Sequence, residues 1–367
     1  MAHAHSNQVA VSDRPSNVPA PARPVFILGI AERSGTTYLQ DLLRLHPDCD
    51  ADGLELNEDH FVAFSHLLVE FVNSASRNWK PWWGEKELED DRLLVCRCLG
   101  DGLIAYLNQQ VYRRRLLTGV AVPDKPLKVL VTKTPDVSNL NLFFKMFPNA
   151  HLLILVRDGR AVVESAMGTF YRRFEWAARQ WADRAATILR FVKERSDPSD
   201  RYLVIRYEDL YRDNAKELHR ILRFLQLDPN LYDFDSADKL PVRGSSSLRR
   251  KDAQVTSSFI APGIHWLPVP KSPNFNPIMR WSHWGRAKHE RFNWIAGRYL
   301  QPLGYEPVTF SGNRWFWIGW NIVLDALPIE KLGWISQKVR RETAIDLLRR
   351  ALRARKSAHR GAPHICD

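Results

Sequence analysis

Arg33-Ser34-Gly35-Thr36-Thr37 puts a cation, three hydroxyls and a glycine into five consecutive residues. That set can hold an anion: the guanidinium supplies charge, the hydroxyls donate, and glycine lets the backbone come close. The flanking residues strengthen the point. Val25-Phe26-Ile27-Leu28 is too short for a helix and reads as a buried strand that Gly29 ends. From Thr36 the pattern turns helical, with Leu39, Leu42, Leu43 and His46 on one face. Strand, tight loop and helix start in that order aim free amides and a positive dipole end at a ligand. The triphosphatase loop needs a lysine before its last hydroxyl residue, G-x-x-x-x-G-K-[ST]. Here the spacing is one residue longer and Thr36 takes the lysine's place, so service to a β- and γ-phosphate pair is lost.

Two further strand tips carry cations. Val129 to Val131 forms a short apolar strand with Lys133 just beyond its end, and Pro135 begins a turn and a helix through Leu142 and Phe144. Leu152 to Val156 is the most strand-like run in the chain, followed directly by Arg157, an Asp158-Gly159 turn and a helix bearing Arg160 and Ser165. Loops leaving the carboxyl ends of parallel strands line one crevice, so two anion sites there imply a ligand with two separated anionic groups. Between them lies an acidic segment, Asp50 to Phe61. Carboxylates beside an anion site are unfavourable by charge, and a general base would explain Glu55 or Glu58.

These tips need a frame. Short buried strands alternating with helical patterns predict an α/β fold, a P-loop-like parallel sheet flanked by helices. Tyr202 to Arg206 adds another strand, residues 166–200 read as helical, and a helix runs through Leu218, Ile221, Leu222 and Leu225. About residues 62–125 form a helical insertion, with Leu93, Leu99, Leu103, Leu107 and Val111 at helical spacing. Its Trp79-Lys-Pro-Trp-Trp83 cluster lines a pocket or packs beneath the insertion. Residues 1–22 read as a disordered leader without a signal-peptide core. The 367 residues carry a net charge of +12, which favours an anionic ligand or surface. No basic, aromatic-interleaved helix marks a nucleic-acid module. Four cysteines without C-x-x-C spacing point to a reducing, cytoplasmic compartment, and scattered histidines predict no metal site.

Together these pieces resemble the sulfotransferases that use 3′-phosphoadenosine 5′-phosphosulfate (PAPS), the tyrosylprotein sulfotransferases and their bacterial relatives in particular. Arg33-Ser-Gly-Thr-Thr37 resembles the 5′-phosphosulfate loop, Lys133-Thr-Pro135 the lysine tip, and Arg157 through Ser165 the 3′-phosphate site. Arg206-Tyr-Glu-Asp-Leu210 and Leu303-Gly-Tyr305 resemble the following strand and the closing signature, so the likeness covers roughly residues 24–307, within a sulfotransferase domain of residues 23–307. It implies a sulfotransferase fold and PAPS as donor, with no metal. Arg33, Ser34, Gly35, Thr36 and Thr37 would hold the phosphosulfate end, and Lys133 with Arg33 would stabilise the departing oxygen. Arg157 and Ser165 would take the 3′-phosphate, with Tyr207 near it. Glu58-Asp-His-Phe61 matches a Glu-x-His-Phe stretch of many relatives, which favours Glu58 as base. Gly53-Leu-Glu55 matches the tyrosylprotein pattern with a one-residue shift, and His60 is a third candidate.

The implied reaction moves a sulfuryl group to a hydroxyl of a carbohydrate, lipid, glycolipid or small metabolite in preference to a protein tyrosine. A P-loop kinase or hydrolase and a non-catalytic PAP-binding protein are the alternatives. The chain departs from the animal enzymes in lacking an N-terminal anchor and in its tail, residues 308–367. There Trp315 to Leu324 is too short to span a bilayer, and Ala344, Ile345, Leu348, Ala351 and Leu352 oppose Arg340, Arg341, Arg349, Arg350 and Arg353. This extension fits peripheral contact with an anionic membrane, or docking on the domain or a partner subunit.

Overall fold

A computed structural model describes residues 23–50, 58–79, 85–118, 129–195, 201–243, 268–271 and 275–326. Five parallel strands form one sheet in the order β2-β3-β1-β4-β5: β1 (Arg23–Gly29), β2 (Cys49–Asp50), β3 (Val129–Thr134), β4 (His151–Val156) and β5 (Tyr202–Arg206). A parallel sheet covered on both faces needs strands that are apolar throughout, and Val25–Leu28 and Leu152–Leu155 are wholly inaccessible. β1 lies between β3 and β4, so the three cation-bearing tips are neighbours, one inter-strand spacing of about 4.8 Å apart.

Helices connect the strands. α1 (Thr36–Leu43) follows β1, α2 (Ser65–Ser76) and α3 (Glu85–Thr118) lie between β2 and β3, and α4 (Phe143–Met146) precedes β4. α5 (Gly159–Phe170) and α6 (Phe174–Glu194) link β4 to β5, and α7 (Tyr207–Arg212), α8 (Asn214–Phe224) and α9 (Phe234–Lys239) follow β5. On one side of the sheet α1 and α8 bury Leu39, Leu42, Leu43, Leu218, Ile221 and Leu222 against Val25, Ile27, Val131 and Leu153. On β1, Phe26 meets the rings of Phe143 and Phe147 at 5.3 and 4.8 Å. Truncating so buried a ring costs about 3–5 kcal/mol.

Three local expectations are corrected. Lys133 is not beyond its strand but inside it, paired in register with Ile27, because the β1 ladder carries β3 through the polar residues Thr132 to Thr134. Pro135 leads only to a single turn at Leu140–Leu142 and the four-residue α4. Residues 166–195 are helical but divided: Tyr171 turns left-handed (φ 53°) and separates α5 from α6. The buried stripe of α6 then runs through Ala177, Trp181, Ala185, Ile188 and Phe191, with Val192 turned partly outward.

The chain divides into two compact units, residues 1–285 with 295–307, and residues 286–294 with 308–367. The second contains most of α10 (Arg286–Ala296) and all of α11 (Arg314–Ala326). Among the described residues no helix is long and apolar enough to cross a membrane. The basic segment beyond Ala326 and the Ser- and Arg-rich residues 244–251 lie outside the described residues.

Candidate active site

The loop after β1 is built by close approach. A Cβ on Gly29 would lie 2.2 Å from Ser34 Oγ, and one on Gly35 (φ 98°) 2.4 Å from the Tyr207 ring. Only glycine fits either place. Ser34 is fully buried and donates to the Ala31 carbonyl (2.7 Å), which spends its hydroxyl on shaping the loop. Thr36 is buried at the first turn of α1 and Thr37 follows it there. Arg33 is held left-handed (φ 73°), a strained conformation for a side-chain-bearing residue of the kind that gathers at functional sites.

Arg33 turns towards the tip of β4. Its Nε donates to Ser165 Oγ at 3.1 Å, and Arg280 donates to the same oxygen at 3.3 Å. Arg157 lies against them, buried, with its guanidinium 4.4 Å from the centre of the Tyr207 ring. It donates to the carbonyls of Arg33 and Pro277, both at 2.5 Å. Burial, Arg157 and Arg280 together push Arg33 down to about 9, and burial and Arg157 push Arg280 down to about 10. Three guanidinium groups crowded in a poorly solvated place repel one another, and a bound polyanion relieves that repulsion. Arg157 Nε is buried without a hydrogen-bond partner among the described residues. These features fit a phosphate group.

A second group lies at the tip of β3. Lys133, only 6% exposed, donates to Glu58 Oε1 at 3.3 Å, and His60 Nε2 lies 3.4 Å from Glu58 Oε2. The segment is sewn to the strand by Asp59. That carboxylate accepts from the hydroxyls of Thr132 (2.7 Å) and Thr134 (3.2 Å) and from the Phe61 amide (2.7 Å). The His60 amide donates to Thr134 Oγ1, and His60 itself is left-handed (φ 55°). Burial pushes the Asp59 carboxyl above its ordinary range while these donors pull it back.

The sequence-derived candidates thus fall into two sets. Arg33, Arg157, Ser165 and Tyr207 converge with the loop residues Ser34, Gly35, Thr36 and Thr37; Lys133 of β3 forms the second set with Glu58 and His60 of the segment before α2. Glu55 and most of the Trp79–Trp83 cluster lie outside the described residues. Sequence reasoning missed Arg280, which sits in an aperiodic stretch, and Asp59, hidden among neighbouring acids. It also left Arg160 without a role: the guanidinium is taken by Asp158 (2.8 Å) and stacks on Trp281 at 3.9 Å. Glu208 locks the frame, accepting from the Asp158 amide (3.0 Å) and the Tyr305 hydroxyl (2.8 Å). Burial raises the Glu208 carboxyl as well. Among the described residues no group of His, Cys, Asp and Glu is placed to hold a metal ion.

A parallel sheet with a glycine-bearing loop after its central strand and arginines at the next tip defines a P-loop-like α/β frame. Residues 24–230 match the sulfotransferase family, and the chain belongs to it. It is similar to the Protein-tyrosine sulfotransferase 1 of Danio rerio, 22% identical over 292 residues that cover 77% of this chain and 73% of the relative. It also resembles the Protein-tyrosine sulfotransferase of Drosophila melanogaster, 25% identical over 215 residues, 56% of this chain but only 39% of that one. Among solved structures, the sulfotransferase domain of the Synechococcus PCC 7002 olefin synthase aligns with a TM-score of 0.36 and 25% identity, over 64% of this chain and 82% of that one.

Proposed function

We propose that this sulfotransferase takes its sulfuryl group from PAPS and passes it to an acceptor hydroxyl by in-line displacement, with Glu58 as general base. The observation that carries the reading is a pair of unlike sites at the tips of the two strands that flank β1: an arginine cluster on Ser165, and a lysine–carboxylate pair at Lys133 and Glu58. PAPS, when bound, supplies an activated sulfuryl group between a phosphate and the acceptor. Arg157, Ser165 and Arg280 would hold its 3′-phosphate, and the loop from Ser34 to Thr37 its 5′-phosphate. Glu58 takes the proton of the acceptor hydroxyl as the new O–S bond forms. Lys133 and Arg33 carry the charge left on the phosphate oxygen as the old S–O bond breaks. The chemistry asks for positioning and neutralisation, as in phosphoryl transfer. Glu55 and, after it, His60, 3.4 Å from Glu58, are the other candidates for the proton.

Carbohydrate, lipid, glycolipid and small-metabolite hydroxyls are the acceptors favoured over protein tyrosine, and the names of the relatives make a tyrosine peptide the comparison acceptor. The cysteine content supports a reducing, cytoplasmic setting. Calorimetric titration without metal against 3′,5′-ADP, AMP and ATP tests the donor assignment. Selective binding of 3′,5′-ADP is the expected result. Binding of ATP alone, and only with Mg²⁺, would overturn it in favour of a kinase. Transfer of label from ³⁵S-PAPS to an acceptor panel then separates an enzyme from a protein that only binds PAP.

A further inference from the structure

α11 is built inside out. Two of its polar residues, Asn321 and Asp325, face the neighbouring helix: Arg291 of α10 donates to Asn321 Oδ1 (3.1 Å) and to Asp325 (2.7 Å), and Trp294 Nε1 donates to Asp325 (2.8 Å). Asn321 is almost wholly buried by this arrangement. The opposite face, at helical spacing, presents Trp315, Phe316, Trp320, Ile322 and Val323 to solvent, with Trp315 83% exposed. Phe316 and Trp320 stack upon each other at 6.4 Å, which joins the rings into one surface. An ordinary surface helix does the reverse, burying its apolar stripe and wetting its polar one. Contiguous exposed aromatics mark a surface that something covers.

The charge of the chain indicates what does. Beyond Ala326 the sequence holds ten Lys and Arg against four Asp and Glu, so half of the net +12 follows this helix directly. Tryptophan-rich apolar faces settle at the headgroup level of bilayers, and adjoining basic residues add attraction to anionic lipids. At 13 residues the helix is about 20 Å long, enough to lie in an interface and too short to cross one. The pins to Arg291 hold the aromatic face outward. We propose that α11 and the basic chain after it seat the protein on an anionic lipid surface, aromatic face down.

The test is co-sedimentation of the full chain with vesicles of phosphatidylcholine alone or with about a third phosphatidylserine. Binding to the anionic vesicles that weakens with salt is expected, with little binding to the neutral ones. The exposed triple variant Trp315→Ser/Phe316→Ser/Trp320→Ser should lose tenfold or more in partitioning while keeping its circular dichroism and 3′,5′-ADP affinity. A wild-type chain that stays in the supernatant with both vesicles overturns the proposal. So does a triple variant that sediments like wild type, or one whose only change is from dimer to monomer, which would make a second copy the occupant. Loss of 3′,5′-ADP binding in the wild type would strike the donor assignment and leave the vesicle result standing.

Discussion

Lys133 Nζ lies 3.3 Å from Glu58 Oε1, and the lysine is almost wholly buried while the carboxylate stays partly open. The pair joins the cation proposed for a departing phosphate oxygen to the group proposed to take the acceptor proton. Glu58→Gln keeps the shape and removes the basicity. It should lower turnover by about two to four orders of magnitude while leaving 3′,5′-ADP affinity near normal. Lys133→Ala should lower turnover and weaken nucleotide binding as well. Steady-state kinetics beside calorimetry separates them. Near-normal turnover in Glu58→Gln with a large loss in His60→Ala would transfer the base to His60.

Asp59 touches neither substrate site but fixes the segment that carries Glu58, through three donors on β3 and its own loop. Asp59→Asn replaces an acceptor oxygen by a donor facing two hydroxyls. The expected loss is about tenfold to a hundredfold in kcat, with the KM for the donor unchanged, the signature of misplacement. In the Glu58→Gln background the same change should have little further effect, because the two act through one proton transfer. Full additivity in that double-mutant cycle would reduce Asp59 to a merely structural residue.

The strands and the loop after β1 were legible in the sequence because buried parallel strands are apolar runs and a phosphate loop is local. Val25–Leu28 and Leu152–Val156 needed no tertiary information. Lys133 was misplaced by two residues for the same reason: Thr132, Lys133 and Thr134 read as the end of an apolar strand, yet pairing with Ile27 and Leu28 continues it. Arg280 was illegible. Its stretch has no period, and only the fold brings residues 33, 165 and 280 together across more than a hundred positions of chain. Asp59 was hidden in the open, since its burial depends on hydroxyls over seventy residues away.

The arginine cluster predicts opposite signs for stability and binding. Arg280 is repelled by Arg157 and adds to the repulsion on Arg33, so its removal relieves strain in the ligand-free protein. Arg280→Met should therefore melt no lower than wild type without nucleotide. It should nonetheless bind 3′,5′-ADP about tenfold to a hundredfold more weakly, the worth of a charge-assisted hydrogen bond. AMP, which has no 3′-phosphate, should be affected far less. Equal losses for the two nucleotides would move Arg280 to the 5′ end.

His151 opens β4 in a buried place, and burial, Arg23 and Arg201 hold it down at about 4. A histidine whose folded value lies below its ordinary 6.5 binds fewer protons in the folded chain than in the unfolded one. Stability from this group is therefore complete above about pH 6.5 and is lost as pH falls towards 4. His151→Phe keeps a ring beside Phe224, 5.3 Å away in wild type, and removes the titration. Melting curves from pH 7.5 down to 4.5 should show a shallower fall in the variant than in the wild type. Parallel curves would mean that His151 does not contribute to this fall, because Asp59 and Glu208 are common to both proteins. Those two buried carboxyls have raised values and act in the opposite sense, so their cost is relieved, not imposed, as the solution turns acid.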